Sequence, residues 1–399
     1  MSEWSVQMVT AFGRGESLAR ALQAEDFDVQ IFDLTSAFGS EYRRGLGPFP
    51  LSEGTYLPEH EDLWTASTPL RRGLTVWLKE GPVEFSGRMS HFFLENHAAF
   101  RGAVQNTIGR DFDEDWLRRF LCQFTSAFHQ ETWLAGASQP FTITQPLRRT
   151  PAILEKPHSG YENFRDKPGY HECKGLLDLQ IESSRILEIE VEAGQPMAAS
   201  GSQWIWCLSS YETEVLSPSV ASMLFSSDVR RPEWLWVEWS GRAERGPWSE
   251  GFPSYTVVLE DVHLPWVYSN MFILEWHDSE KFSIWMKVPA ESARNPHQRE
   301  VWVHDVLRIL NRRLEMAKWQ IDTKGFGICP HSVVFPRRKR EWAEPGWKNW
   351  DWIAPESIGR LDLGSRFGRE LKSLQRIQNW RSDMLKKQGD AGDSAIHAP

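Results

Sequence analysis

The residue types most able to do chemistry lie in the first 33 positions. The run Ser5–Phe12 alternates and is rich in strand formers, and Gly13-Arg14-Gly15 breaks it. Residues 16–25 then read as a helix, with Leu18, Ala19 and Leu22 on one apolar stripe and Glu16 near its positive end. A glycine turn that opens a helix aims backbone N–H groups at one point and suits a phosphate. The next extended run, 28–33, ends in Asp33, whose carboxylate stands where it can accept both hydroxyls of a ribose. Gly13, Arg14, Gly15, Glu16, Ser17 and Asp33 are therefore the candidate contacts to a dinucleotide.

The glycine spacing is incomplete in either register. Counted forward from Gly13, the third glycine position of G-x-G-x-x-G falls on Leu18. Counted back from Asp33, the first two positions are Thr10 and Phe12, and Gly15 is the third. A βαβ unit that binds nothing is the competing reading of the same letters.

Other constellations carry less. His171-Glu172-Cys173 and Cys329-Pro330-His331 each pair metal-ligand types without completing a site, so no metal is expected. Arg337-Arg338-Lys339-Arg340 reads as a solvated basic loop on a chain of formal charge −9. The patterns G-x-S-x-G, H-E-x-x-H and G-x-x-x-x-G-K-[ST] do not occur, which disfavours serine hydrolase, zincin and P-loop chemistry. In Arg231–Trp239 a period of two sets Trp234 and Trp236 on one face and Leu235, Val237 and Trp239 on the other. A strand apolar on both faces is either buried outright or lines a cavity, and in the second case Trp234 and Trp236 are candidate substrate contacts. The 21 tryptophans in the chain suit an aromatic-lined interior as well as an aromatic core.

The elements that position these residues follow from turns and periodicity. Strand, glycine turn, helix and strand within about 30 residues is a βαβ unit with parallel strands and a right-handed crossover. Residues 39–69 read as loop, 73–85 as a hairpin about 79–82, and 89–135 as helical. Strands are expected at 176–181, 186–191 and 204–208, and again at 234–239, 255–259, 271–276 and 282–288. Residues 297–317 form an amphipathic helix, 318–321 a strand, and 363–386 a last helix before a frayed tail.

Composition bounds the rest. At 399 residues, with 41% hydrophobic and 25% charged side chains, the chain builds a full-sized core. Its net charge of −9 disfavours a nucleic-acid partner. No apolar run approaches the roughly 20 residues of a membrane span. The start of the chain has no secretory pattern and the four cysteines form no CxxC pair, which together predict a cytoplasmic, reducing setting.

The order of elements resembles the FAD-dependent amine oxidase, phytoene desaturase and protoporphyrinogen oxidase superfamily. There the acidic end of the first βαβ unit is followed by a Gly-Gly-Arg turn. Here Asp33-Leu34-Thr35-Ser36-Ala37-Phe38-Gly39-Ser40-Glu41 keeps Gly39 as the first glycine, and Arg43 and Arg44 follow. The stretch Leu179–Ile189, leading into Trp204–Ser210, is similar to the family's later hairpin and apolar strand. The family's closing Gly-Asp pair has no counterpart in Trp352–Arg366, where Glu356 or Asp362 stands in its place.

The resemblance implies an α/β fold: a Rossmann-type FAD/NAD(P)-binding domain with an inserted mixed-sheet substrate domain. Its implied division is 1–75, 166–215 and 326–386 for the dinucleotide domain, 76–165 for a mostly helical insertion, 216–325 for a substrate domain, and 387–399 for a disordered tail. It further implies FAD as cofactor, with NAD(P) as the alternative, Gly39, Arg43 and Glu356 as additional cofactor contacts, and oxidation of an apolar or amine substrate. A non-catalytic binding protein on the same scaffold, with a protein partner, is the second reading, as in the Rab GDP dissociation inhibitors. Whether the chain is an enzyme is open at this point, and no catalytic residue is nominated.

Overall fold

The computed structural model describes residues 4–39, 42, 67–69, 74–79, 81–85, 152–154, 165, 168–193, 196–200, 203–225, 232, 234–244, 255–261, 270–277, 280–313, 318–334, 347–354 and 363–396. The helical reading of 89–135 and the loop reading of most of 39–69 lie outside them.

The first βαβ unit is present as expected: β1 (Ser5–Thr10), α1 (Glu16–Ala24) and β2 (Asp28–Asp33). β1 and β2 pair in parallel, Ser5 opposite Asp28 and Thr10 opposite Asp33. Short β3 (Ser67–Pro69) and β6 (Ala152–Leu154) pair with each other, and β4 (Leu74–Leu78) and β5 (Gly81–Phe85) form the expected hairpin. β7 (Tyr170–Glu172) adds to the outer edge of β2 in parallel. β8 (Gly175–Glu182), β9 (Arg185–Glu192) and β10 (Pro196–Ser200) make an antiparallel meander. Its first turn takes positive φ at both Ser183 (49°) and Ser184 (64°), the twist a two-residue hairpin requires.

β11 (Gln203–Trp206) returns to the parallel sheet beside β1, and β18 (Trp350–Trp352) joins it from near the far end of the chain. The sheet order is β18-β11-β1-β2-β7, all parallel. A parallel sheet must be covered on both faces. On one side Val6, Met8, Val29, Ile31 and Ile205 pack against Leu18 and Leu22 of α1 and against Leu374 and Ile377 of α5 (Leu363–Ile396). On the other, Val9, Phe32, Trp204, Trp206, Trp350 and Trp352 meet the meander and α3 (Pro218–Phe225), which follows α2 (Ser210–Leu216). α5 continues through Ile396, so the frayed tail expected from 387 is helix for most of its length. No proline interrupts it there, and its glycines cost only about 1 kcal/mol each.

The second large sheet has eight strands. Its order is β16-β12-β15-β14-β13-β4-β5, with β17 also paired to β12. The later strands are β12 (Trp234–Ala243), β13 (Tyr255–Leu259), β14 (Met271–Trp276), β15 (Lys281–Pro289), β16 (Trp319–Ile321) and β17 (Gly327–Val334). One face carries Leu235, Val237, Trp239, Phe272, Leu274 and Met286 against Trp302, Val306 and Ile309 of α4 (Pro296–Arg313). The alternation read in 234–239 is thus the actual division between faces.

Candidate functional site

The turn between β1 and α1 is built on three unusual conformers within four residues. Phe12, Gly13 and Gly15 have φ of 59°, 76° and 75°, in the left-handed region that glycine enters freely and phenylalanine rarely does. Thr10 Oγ1 donates to the Arg14 carbonyl at 2.7 Å and fixes the turn's width. Gly15 caps α1 without a side chain, and its carbonyl accepts from the Ala19 amide at 2.9 Å. The amides of Ser17 and Leu18 donate to no acceptor among the described residues, which leaves two N–H groups at the positive end of the helix. Gly13 to Ser17 are nonetheless all buried.

Asp33 lies beside this turn. Its Oδ1 accepts from the Thr35 amide at 3.0 Å and from the Thr35 hydroxyl, and its Oδ2 accepts from Tyr170 at 2.8 Å. Thr35 Oγ1 in turn accepts from the Phe12 amide at 2.7 Å, so turn and carboxylate form one hydrogen-bonded chain. Tyr170 is held protonated, its pKa raised by burial and then by the Asp33 charge. The neighbouring thiol of Cys173 is pushed up to about 12, first by burial and then by Asp33 and Glu172, which makes it inert.

Arg14 leaves the turn in the other direction. Its Nη1 and Nη2 each donate at 2.6 Å to the two carboxylate oxygens of Glu212, and Nη1 also donates to the Cys207 carbonyl at 2.9 Å. Both side chains are almost fully buried, at 2% and 4% exposure. Glu212 does a second job: with Ser209 it completes the capping box of α2, accepting from the Ser209 amide at 2.8 Å while Ser209 Oγ accepts from the Glu212 amide at 3.0 Å. Glu16 adds a third charge, a carboxylate at 3% exposure paired with Arg20 at 2.7 Å. The Phe12 ring packs on Phe38 and Tyr42 at centroid distances of 5.0 and 5.8 Å.

The second group of polar residues lies on the face of the large sheet turned away from α4. Trp236 stands opposite Lys287, Glu238 opposite Trp285, and Glu275 opposite Ser283. Trp236, Lys287, Trp285, Ser283 and Glu275 are buried there. Glu275 accepts from Trp285 Nε1 at 2.9 Å, and burial, helped by the nearby Glu238 charge, pushes its pKa up to about 7. Ser283 donates to Glu238, while exposed His277 lies 2.7 Å from the same hydroxyl. Lys287 Nζ sits 5.7 Å from the centre of the Trp234 ring.

Of the residues nominated from sequence, Gly13, Arg14, Gly15, Glu16, Ser17 and Asp33 are brought together at the C-terminal ends of β1 and β2. Gly39 is exposed, and its carbonyl accepts from the Tyr42 amide at 3.1 Å. Arg43 and Glu356 lie outside the described residues. Trp234 and Trp236 share the polar face of the other sheet. His171 and Cys173 do not converge on a ligand: His171 contacts Gln30 and stacks on Phe32, and Cys173 donates to a backbone carbonyl. No cluster of metal-ligating side chains occurs among the described residues. Glu212 and Glu275 were not nominated. The Ser-x-x-Glu spacing of 209–212 is a legible cap, but nothing in it announces a partner 198 residues away.

No protein-family model matches the chain, and no curated sequence is similar to it. Solved structures are. An oxidoreductase from Methanosarcina mazei superposes with TM-score 0.57 at 12% identity, over 93% of this chain and all of that one (100%). A putrescine oxidase double mutant redesigned in its cofactor binding gives 0.53 at 11%, over 94% and 99%. A geranylgeranyl bacteriochlorophyll reductase-like protein from Thermoplasma acidophilum gives 0.53 at 8%, over 96% and 83%. The chain therefore shares the fold of these structures, an α/β, Rossmann-type architecture with a parallel sheet and an inserted mixed sheet. Among the described residues no helix is long and apolar enough to cross a membrane.

Proposed function

We propose that the chain is an FAD-dependent oxidoreductase acting on an apolar or amine substrate. The observation that carries this reading is the pair of unengaged amides, Ser17 and Leu18, at the α1 N-terminus beside Asp33. They fit a pyrophosphate, and Asp33 fits the ribose. Each carboxylate oxygen has two lone pairs, so the Asp33 oxygen bonded to Tyr170 alone keeps one for a further donor. Backbone groups of Gly13, Arg14 and Gly15 would complete the hold, with Gly39, Arg43 and Glu356 as further contacts. FAD, once bound, supplies the hydride acceptor. The chain's own task is to orient an apolar ligand and exclude water, which suits the Trp234 and Trp236 face of the inserted sheet. The division into a dinucleotide domain (1–75, 166–215, 326–386), an insertion (76–165) and a substrate domain (216–325) belongs to the same reading. So does a reducing, cytoplasmic setting, in which the buried thiols of Cys173 and Cys207 stay reduced.

Two residues favour a second reading, a non-catalytic binding protein on the same scaffold. Phe12 puts a large side chain where one register expects glycine, and Glu16 places a buried carboxylate at the helix end a phosphate would neutralise. The absorption spectrum of the purified chain separates the two. Flavin bands, or their recovery on adding FAD, support the oxidoreductase. A colourless chain that takes up NAD(P)H instead, or neither, removes it.

A further inference from the structure

The Arg14–Glu212 pair stands out because it ties the phosphate-type turn shut from within. A turn with glycine on each side of Arg14 needs no long cation, and α2 needs only a hydrogen-bonding side chain at position 212 for its cap. Yet a guanidinium and a carboxylate have been buried together here, each at the cost of its hydration, in bidentate geometry at 2.6 Å. The carboxylates on α1 and α2, Glu16 and Glu212, both oppose an incoming anion. Arg14 is the one cation within the turn itself, and Glu212 holds it. Resting on the FAD reading above, we infer that Glu212 is an affinity-setting latch: the cofactor's pyrophosphate competes with it for Arg14, and binding exchanges one anionic partner of the guanidinium for another.

The consequence is opposite in sign for the two partners. Glu212→Gln keeps the amide-accepting oxygen of the capping box while removing the competing charge, so FAD binds about tenfold tighter, the scale of one strengthened charged hydrogen bond. Arg14→Gln loses the cation that the pyrophosphate recruits, so FAD binds about tenfold more weakly. A purely structural tie would instead weaken binding and lower Tm in both variants alike. Flavin fluorescence titration with FAD, with Tm measured beside it, reads the difference. If the wild type binds FAD and both variants shift in the same direction, or neither shifts, the latch is wrong while the FAD reading stands. If no chain binds FAD, both fall. A wild-type measurement stands in for either variant should it fail to fold. The Arg14 Nε–H resonance, assigned by its loss in Arg14→Lys, moves as FAD is added, and an unmoved resonance at saturation overturns the exchange.

Discussion

Asp33 is engaged before any ligand arrives, by Thr35 on one oxygen and Tyr170 on the other. Those bonds orient the carboxylate and leave its charge for the ribose of the proposed cofactor. Asp33→Ala should weaken FAD binding by about 1–3 kcal/mol, the loss of hydrogen bonds to a charged group, as read by calorimetry. Unchanged affinity would take Asp33 out of the site. Glu275 yields a pH prediction instead. Its carboxyl is raised from 4.5 to about 7, chiefly by burial, so between those values the folded chain holds a proton the unfolded chain has lost. Stability therefore falls as pH rises through that window and levels off above it. Glu275→Gln, which keeps an acceptor for Trp285, removes this slope. It should gain on the wild type by up to about 3 kcal/mol from pH 4 to 8, and parallel denaturation curves at the two pH values would refute it. Asp33 was legible because strand-end acids have a positional meaning. Glu275 was not, since its environment comes from β15 and β12 and not from its own neighbours in sequence.

At the scale of elements, the β1–α1 turn sets the tightest constraint. Gly15 is buried at φ 75°, where any side chain costs about 1–2 kcal/mol before contacts are counted. Gly15→Leu should abolish FAD uptake or lower Tm by several degrees, and a leucine variant that folds and binds like the wild type would reduce the turn to a connector. Strands and helices with strong periodicity were readable: β1, α1, β2, the β8–β9 hairpin, β12 to β15 and α4. β10 was missed because Pro196-Met197-Ala198-Ala199-Ser200 has no β-branched or aromatic residue to mark it. β17 was missed because Pro330 reads as a strand breaker. The pairing of β17 with β12 shifts register between Leu235 and Trp236, the kind of irregularity at which a proline is tolerated. α2 and α3 hid behind the Ser-Ser and Ser-Pro-Ser letters that cap and start them. The candidate site divides the same way. Its backbone turn was local and visible, whereas the ion pair that closes it joins that turn to the first turn of α2, far away in sequence.

For the molecule as a whole, the question is whether the polar face of the large sheet meets a ligand. Titration with isoprenoid, polycyclic or aryl-amine compounds should shift or quench tryptophan emission, and Trp234→Phe and Trp236→Phe should each reduce the response. If both variants keep it in full, the ligand binds elsewhere. The order of the parallel sheet has a separate outcome, for the newborn chain. β1 sits between β2, its neighbour in sequence, and β11, which is followed outward by β18, and roughly 340 residues separate β1 from β18. At about 5–20 residues per second on a ribosome, the N-terminal unit waits on the order of tens of seconds before the strand that completes its sheet emerges. Until β11 emerges, roughly 190 residues after β1, Val6, Met8 and Val9 lie on a strand whose second edge is open. The outer edge of β11 then stays open until β18 arrives, and α3 and α5, which help cover the two faces, also come late. Such long-range closure is slow and exposes an aggregation-prone edge. The chain should therefore depend on chaperones during synthesis far more than its finished, fully covered sheet would suggest.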